Sequence, residues 1–87
     1  MTPSQRSELI RQRLVHEFSP TQLEIIDESA QHKGHVGSQS GAGHYAIVIA
    51  AECFKNQSML AAHRLIYAAL SDLLPEEIHA LKIKIVR

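Results

Sequence analysis

Cysteine occurs once in the 87 residues, at Cys53. No intramolecular disulfide can form, and no CxxC pair exists to hold zinc or exchange thiols. That usage fits a reducing compartment. Aromatic residues make up only 5% of the chain, and its formal charge is zero with histidine neutral. Neither a basic excess nor a set of stacking rings advertises nucleic-acid binding, and there is no acidic tail. No apolar run approaches the ~18 residues of a membrane helix. The N-terminal segment has no signal-peptide core. Arg6, Arg11 and Arg13 would suit a transit peptide, but Glu8 and Glu17 do not, so the segment reads as part of the fold. The expectation is a cytoplasmic protein without a membrane partner.

What is present is ordinary globular composition, 45% hydrophobic and 21% charged. The length predicts one domain over residues 1–87, burying roughly 60–65% of the surface its unfolded chain exposes. The unusual feature is six histidines, which make the net charge depend on pH near ~6.5, the unperturbed imidazole value.

Thr2-Pro3-Ser4-Gln5 predicts a capped helix start, with Thr2 as N-cap, Pro3 at the first position and Gln5 closing a capping box. Ile10, Leu14 and Phe18 recur every fourth residue, widened by Leu9 and Val15, while Arg6, Arg11, Arg13 and Glu17 would face water. Ser19-Pro20 ends this helix, placed at about 3–17. Gln22–Ser29 predicts a strand with Leu23, Ile25 and Asp27 on one face. Ala30–Gly43 is a glycine- and serine-rich loop too long for a tight hairpin. His44–Ala51 is apolar on both faces and predicts the central strand. A turn over Glu52–Gln57 leads to a second helix at about 58–72, capped by Ser58 or Asn56, with Met59, Ala62, Ile66, Leu70 and Leu73 as its stripe. Leu74–Glu77 reads as a further helical turn, and Ala80–Val86 alternates as a strand, with Leu81, Ile83 and Ile85 inward and Lys82 and Lys84 outward. The order is αββαβ. It predicts an α+β two-layer sandwich in which the first two strands pair antiparallel, the last two are parallel, and both helices cover one face of a three-stranded mixed sheet.

The histidines gather where this pattern breaks. His32 and His35 lie in the glycine-rich loop, His44 opens the central strand, and His79 precedes the last one. Such a set builds a metal or cofactor site, or it belongs to polar loops and ordinary strand ends; the residues alone leave both open, and the plainer reading is the commoner. His63 sits three or four residues from Met59, Ile66 and Tyr67 and seven from Leu70, the spacing of a half-buried packing residue. Arg64 would be more exposed and able to meet a partner's carboxylate. Cys53 is expected to be a buried structural thiol. Gly34-His35-Val36-Gly37 spells the GxxG of nucleic-acid-binding KH domains, but between strands rather than helices. No nucleophile elbow accompanies Ser29, Asp27 and the histidines, so no enzyme is expected. Lys82 and Lys84 leave a nucleic-acid interface open, and a partner-free histidine site for zinc is a third possibility.

Taken together, Asp27-Glu28-Ser29 with His32, then His44-Tyr45, then Phe54 leading to His63-Arg64, then Ile78-His79-Ala80-Leu81, resemble the BolA-like proteins in order and approximate spacing over nearly the whole chain. The chain differs in Asn56, where the family often has glycine, in Ala62, where it often has arginine, and in a longer, histidine-richer loop. The resemblance implies a KH-like (class II) fold. It implies a monomer that forms a heterodimer with a monothiol glutaredoxin and shares a [2Fe–2S] cluster with it, the isolated apo protein holding none. It implies His79 and His32 as the cluster ligands, with His35 as the alternative in the loop, while the glutaredoxin supplies a cysteine and a bound glutathione. His44 would then be structural or support the ligands. The resemblance also implies an association with transcriptional regulation and stress response in bacteria, hence a possible DNA partner.

Overall fold

The structure, a computed structural model, describes residues 2–28 and 43–86. The loop expected over Ala30–Gly43, apart from Gly43 itself, lies outside the described residues, and with it His32, His35 and the GxxG stretch. The elements run α1 (Pro3–Phe18), β1 (Gln22–Asp27), β2 (Gly43–Ala50), a 3-10 turn (Glu52–Phe54), α2 (Met59–Ala69), a second 3-10 turn (Ser71–Leu73) and β3 (Ile78–Ile85). The sheet order is β1-β2-β3, with β2 central, antiparallel to β1 and parallel to β3. No helix among the described residues is long and apolar enough to cross a membrane.

Local chemistry sets the boundaries. The Thr2 hydroxyl accepts from Gln5 N at 3.1 Å and Gln5 Oε1 accepts from Thr2 N at 2.9 Å, the capping box expected from the sequence. α1 stops where Ser19, before Pro20, turns left-handed at φ 44°, its N–H donating to Val15 O at 3.0 Å. Ser58, rather than Asn56, caps α2 through Ala61 N at 3.0 Å.

Strand register stacks the core in rows. Leu23, Ile49 and Ile85 form one row across the sheet, and Ile25, Ile47 and Ile83 the next. Ile10 and Leu14 from α1 and Ala62 and Ile66 from α2 close over Tyr45, Ile47 and Ile49, and all seven are buried. Burying each of the larger side chains contributes about 1.5–3 kcal/mol. The other sheet face carries Glu24, Val48 and Lys84 in one row and Ile26, Ala46 and Lys82 in another.

Several expectations change. Val15 and Met59, placed on the helix stripes, are 47% and 48% exposed because they lie at the edges of the buried faces. The second helix ends at Ala69, and its expected last turn is the 3-10 turn Ser71–Leu73; residues 74–77 are a turn without helix. Cys53 is exposed, since the 3-10 turn around it points Phe54, not the thiol, into the core. β3 begins at Ile78, not Ala80, so His79 lies inside the strand.

The largest change is Arg6, expected to face water and in fact 6% exposed. It continues the four-residue spacing of Ile10, Leu14 and Phe18 backward by one turn. Its Nε donates to Glu77 Oε2 at 3.2 Å and its Nη1 to the Tyr45 hydroxyl at 3.5 Å. Burial works against the charge, but the hydrogen bonds Arg6 donates to Tyr45 and Glu77, with their electrostatic attraction, outweigh it and hold the guanidinium pKa above its ordinary value. The Tyr45 ring and the Arg6 guanidinium lie over Gly43 so closely that a Cβ there would stand 2.2 Å from Tyr45 Cε2 and 3.0 Å from Arg6 Nη1. Arg13, also expected in water, ties α1 to the end of α2. Its Nη1 donates to Ala69 O at 2.8 Å and to Asp72 Oδ1, and its Nη2 to Asp72 Oδ2 at 3.1 Å.

Two outcomes are expected. Gly43→Ala should lower stability by about 1–3 kcal/mol, the usual cost of overpacking, seen as a lower urea midpoint at unchanged slope. The hydrogen bond from Arg13 holds the Asp72 carboxyl below the ordinary carboxylate range. A depressed folded-state pKa stabilises fully above the unfolded value of about 4, and that stabilisation is lost as pH falls through the folded value. Asp72→Asn should therefore melt below the wild type at neutral pH, with the gap closing as pH drops below about 4.

Candidate functional site

β2 and β3 pair in register except at one point. Gly43 pairs with Ile78 and His44 with Ala80, so His79 is an extra residue opposite no partner. Such a bulge bends the strand and re-aims the side chain it carries. The cause is visible in the core. Ile78 is fully buried and Leu81 packs on the same core, although they are three positions apart. A strict two-residue alternation cannot point both inward; one inserted residue can.

The inserted residue is exposed at His79. His44 belongs to the row of alternating residues away from the helices and is 7% exposed. The two imidazole centroids lie 5.2 Å apart with planes inclined at 53°. A buried ring thus lies against an open one, which fits the expectation that His44 is structural or supports its neighbour. On the same face Glu28 N donates to His44 O at 2.7 Å, and the Glu28 carboxylate meets Lys82 Nζ at 3.2 Å.

The other candidates divide. His63 is half-buried, as its spacing predicts, and Arg64 is exposed. Both lie on α2 between Leu60, 61% exposed, and Tyr67, 42% exposed, which form one stripe at helical spacing. The Tyr67 hydroxyl donates to Leu81 O at 3.2 Å, which sets this side of α2 against β3. Lys82 and Lys84 are exposed, but Lys82 is paired with Glu28, and Glu24 stands in the row of Lys84. Cys53 follows the far end of β2 from His44, about 20 Å away at roughly 3.3 Å per strand residue, so it does not join the imidazoles. Among the described residues, no three histidine, cysteine, aspartate or glutamate side chains gather to hold a metal ion. What the described residues offer is the His44–His79 pair, a nitrogen donor open to a group brought from outside.

Arg6, Gly43 and Glu77 escaped the reading of the sequence. Arg6 carried a signal in its four-residue spacing to Ile10. Nothing local marks Glu77 or the close approach at Gly43.

The family profile described as BolA-like protein matches residues 14–86. The chain is 36% identical to the DNA-binding transcriptional regulator BolA of Escherichia coli over 74 residues, 85% of this chain and 68% of that one. It is 39% identical over 79 residues to SufE-like protein 1, chloroplastic/mitochondrial, of Arabidopsis thaliana, covering 85% of this chain and 21% of that protein. Its fold superposes on the BolA domain of SufE1 from Arabidopsis thaliana with a TM-score of 0.80 at 38% identity, covering 92% of this chain and 88% of that one. For BolA1 from the same plant the TM-score is 0.77 at 30% identity, with 92% and 88% covered. With the profile spanning most of the chain and the fold in agreement, the protein belongs to the BolA-like family.

Proposed function

We propose that the protein is an adaptor, not an enzyme, that pairs with a monothiol glutaredoxin and shares a [2Fe–2S] cluster with it, in iron–sulfur cluster trafficking or in iron and redox regulation. The observation that carries this reading is His79, an exposed imidazole on a strand bulge, backed by the His44 ring at 5.2 Å. Neutral imidazole is a suitable iron donor, and an exposed one is reachable by a ligand set on another protein. His79 is the ligand held by the strand. His32, with His35 as its alternative, is the second from this chain, and the partner contributes a cysteine and a bound glutathione. Bound there, the cluster would supply one-electron redox chemistry, at a potential raised by imidazole in place of thiolate. His63 and Arg64, between the exposed Leu60 and Tyr67, form the face that meets the partner.

A second reading, a DNA-binding regulator, draws on the name of the Escherichia coli relative and on the exposed Lys82 and Lys84. The pairing of Lys82 with Glu28, and the carboxylate of Glu24 on the same face, weigh against it. DNA affinity that falls steeply with salt would favour it.

The test is a titration of each variant with cluster-loaded monothiol glutaredoxin, followed by visible absorption and circular dichroism. His79→Ala should abolish the mixed-ligand spectrum. His32→Ala should weaken it, and His32→Ala with His35→Ala should remove it. Cys53→Ser should leave it nearly unchanged. Because only neutral imidazole binds metal, complex formation should weaken as pH falls through the range where imidazole takes up a proton. A wild-type spectrum from His79→Ala would overturn the assignment.

A further inference from the structure

We propose that Arg6 is a positioning residue for His79: its guanidinium clamps Glu77 and Tyr45 over Gly43 and so fixes the bulge on which the imidazole stands. The functional part of this rests on the reading of His79 as a ligand; the geometric part does not.

Arg6 belongs to the first turns of α1, far from β3 in sequence, yet its side chain is 7% exposed against Glu77. A guanidinium is costly to bury unless its hydrogen bonds are made, and here they go to the segment that leads into β3. Glu77 is held at three points. Its N–H donates to Leu73 O at 2.9 Å, its carbonyl accepts from Gly43 N at 2.9 Å, and its carboxylate accepts from Arg6 Nε at 3.2 Å. Arg6 Nη1 also donates to the hydroxyl of Tyr45, which is the next inward residue of β2 after Gly43. The contact is close enough to exclude any side chain at Gly43.

The consequence lies in the register. Backbone pairing sets Ile78 against Gly43 and Ala80 against His44, and the clamp braces the first of these points through Glu77 and Tyr45. His79 is the residue left between these two fixed points, and both must hold for its ring to stay beside His44. Loosening the first lets the strand slide the extra residue into alternation, which would turn the imidazole away. Two backbone bonds hold Glu77 without Arg6, but the tie between the Glu77 and Tyr45 side chains is the Arg6 cation, which comes from the other layer.

The experiment uses the apo protein first. Arg6→Met keeps the unbranched stem and removes the donors. Arg6→Lys keeps the charge but replaces the rigid, longer-reaching guanidinium fork by one compact ammonium, and it serves if the methionine variant folds poorly. Ile10→Val, on the same buried stripe, is the control for general loss of stability. NMR should show the His79 ring signals displaced and the cross-relaxation between the His44 and His79 rings reduced in both Arg6 variants. Both should be unchanged in Ile10→Val. Titration with cluster-loaded glutaredoxin should then show binding weakened about tenfold or more in Arg6→Met, the scale of lost outer support to a metal ligand. Unmoved His79 signals in a folded Arg6 variant would overturn the clamp. Displaced signals with undiminished binding would support the clamp and contradict the ligand reading instead.

Discussion

Ile78 and Leu81 are three residues apart, yet both pack on the core beneath the helices. In a regular strand that spacing puts them on opposite faces. The conflict is resolved by one unpaired residue, and the chain places a histidine there. Much of the neighbourhood follows from accommodating that residue. Gly43 has no side chain because Tyr45 and Arg6 lie over it, Arg6 is buried because it holds Glu77 at the entry to β3, and His44 lies against the ring that the bulge exposes. Core packing and site geometry are one problem at this end of the sheet.

The architecture was legible because its signals are periodic. β2 is apolar on both faces, which marked it as central, and the lysine–isoleucine alternation after Leu81 marked the edge strand. Capping residues marked the start of each helix. The site was half legible. His79 stands out, but the period-two alternation of β3 begins only after the bulge, so nothing in the pattern marks Ile78 and His79 as part of the strand. Arg6 had the spacing of a core residue and the chemistry of a surface one, and only the carboxylate of Glu77, brought near by the fold, decides between them. The residue type of Cys53 predicts an inward thiol; a 3-10 turn gives that direction to Phe54 instead. Val15 and Met59 show that an apolar residue at a stripe's edge need not be buried.

Membership of the BolA-like family and the arrangement of the face around His79 fit together physically. On the sheet face away from the helices Lys82 is paired with Glu28, and Glu24 shares a row with Lys84 across Val48, so the face carries both signs of charge. It ends in an imidazole that is exposed and braced. On the function proposed above, an imidazole so placed would be one half of a donor set completed by another protein. The flank of α2 beside it, with Leu60, Arg64 and Tyr67 exposed, offers apolar area and a cation for docking.

The most direct measurement is pulsed electron paramagnetic resonance on the reduced complex, with 15N-histidine in this chain alone and the glutaredoxin unlabelled. A strongly coupled 15N nucleus on the cluster, lost when His79 is replaced by alanine, is the result expected of a strand-held imidazole ligand. A cluster spectrum without any histidine nitrogen coupling from this chain, or one that keeps all such coupling in His79→Ala, would contradict it.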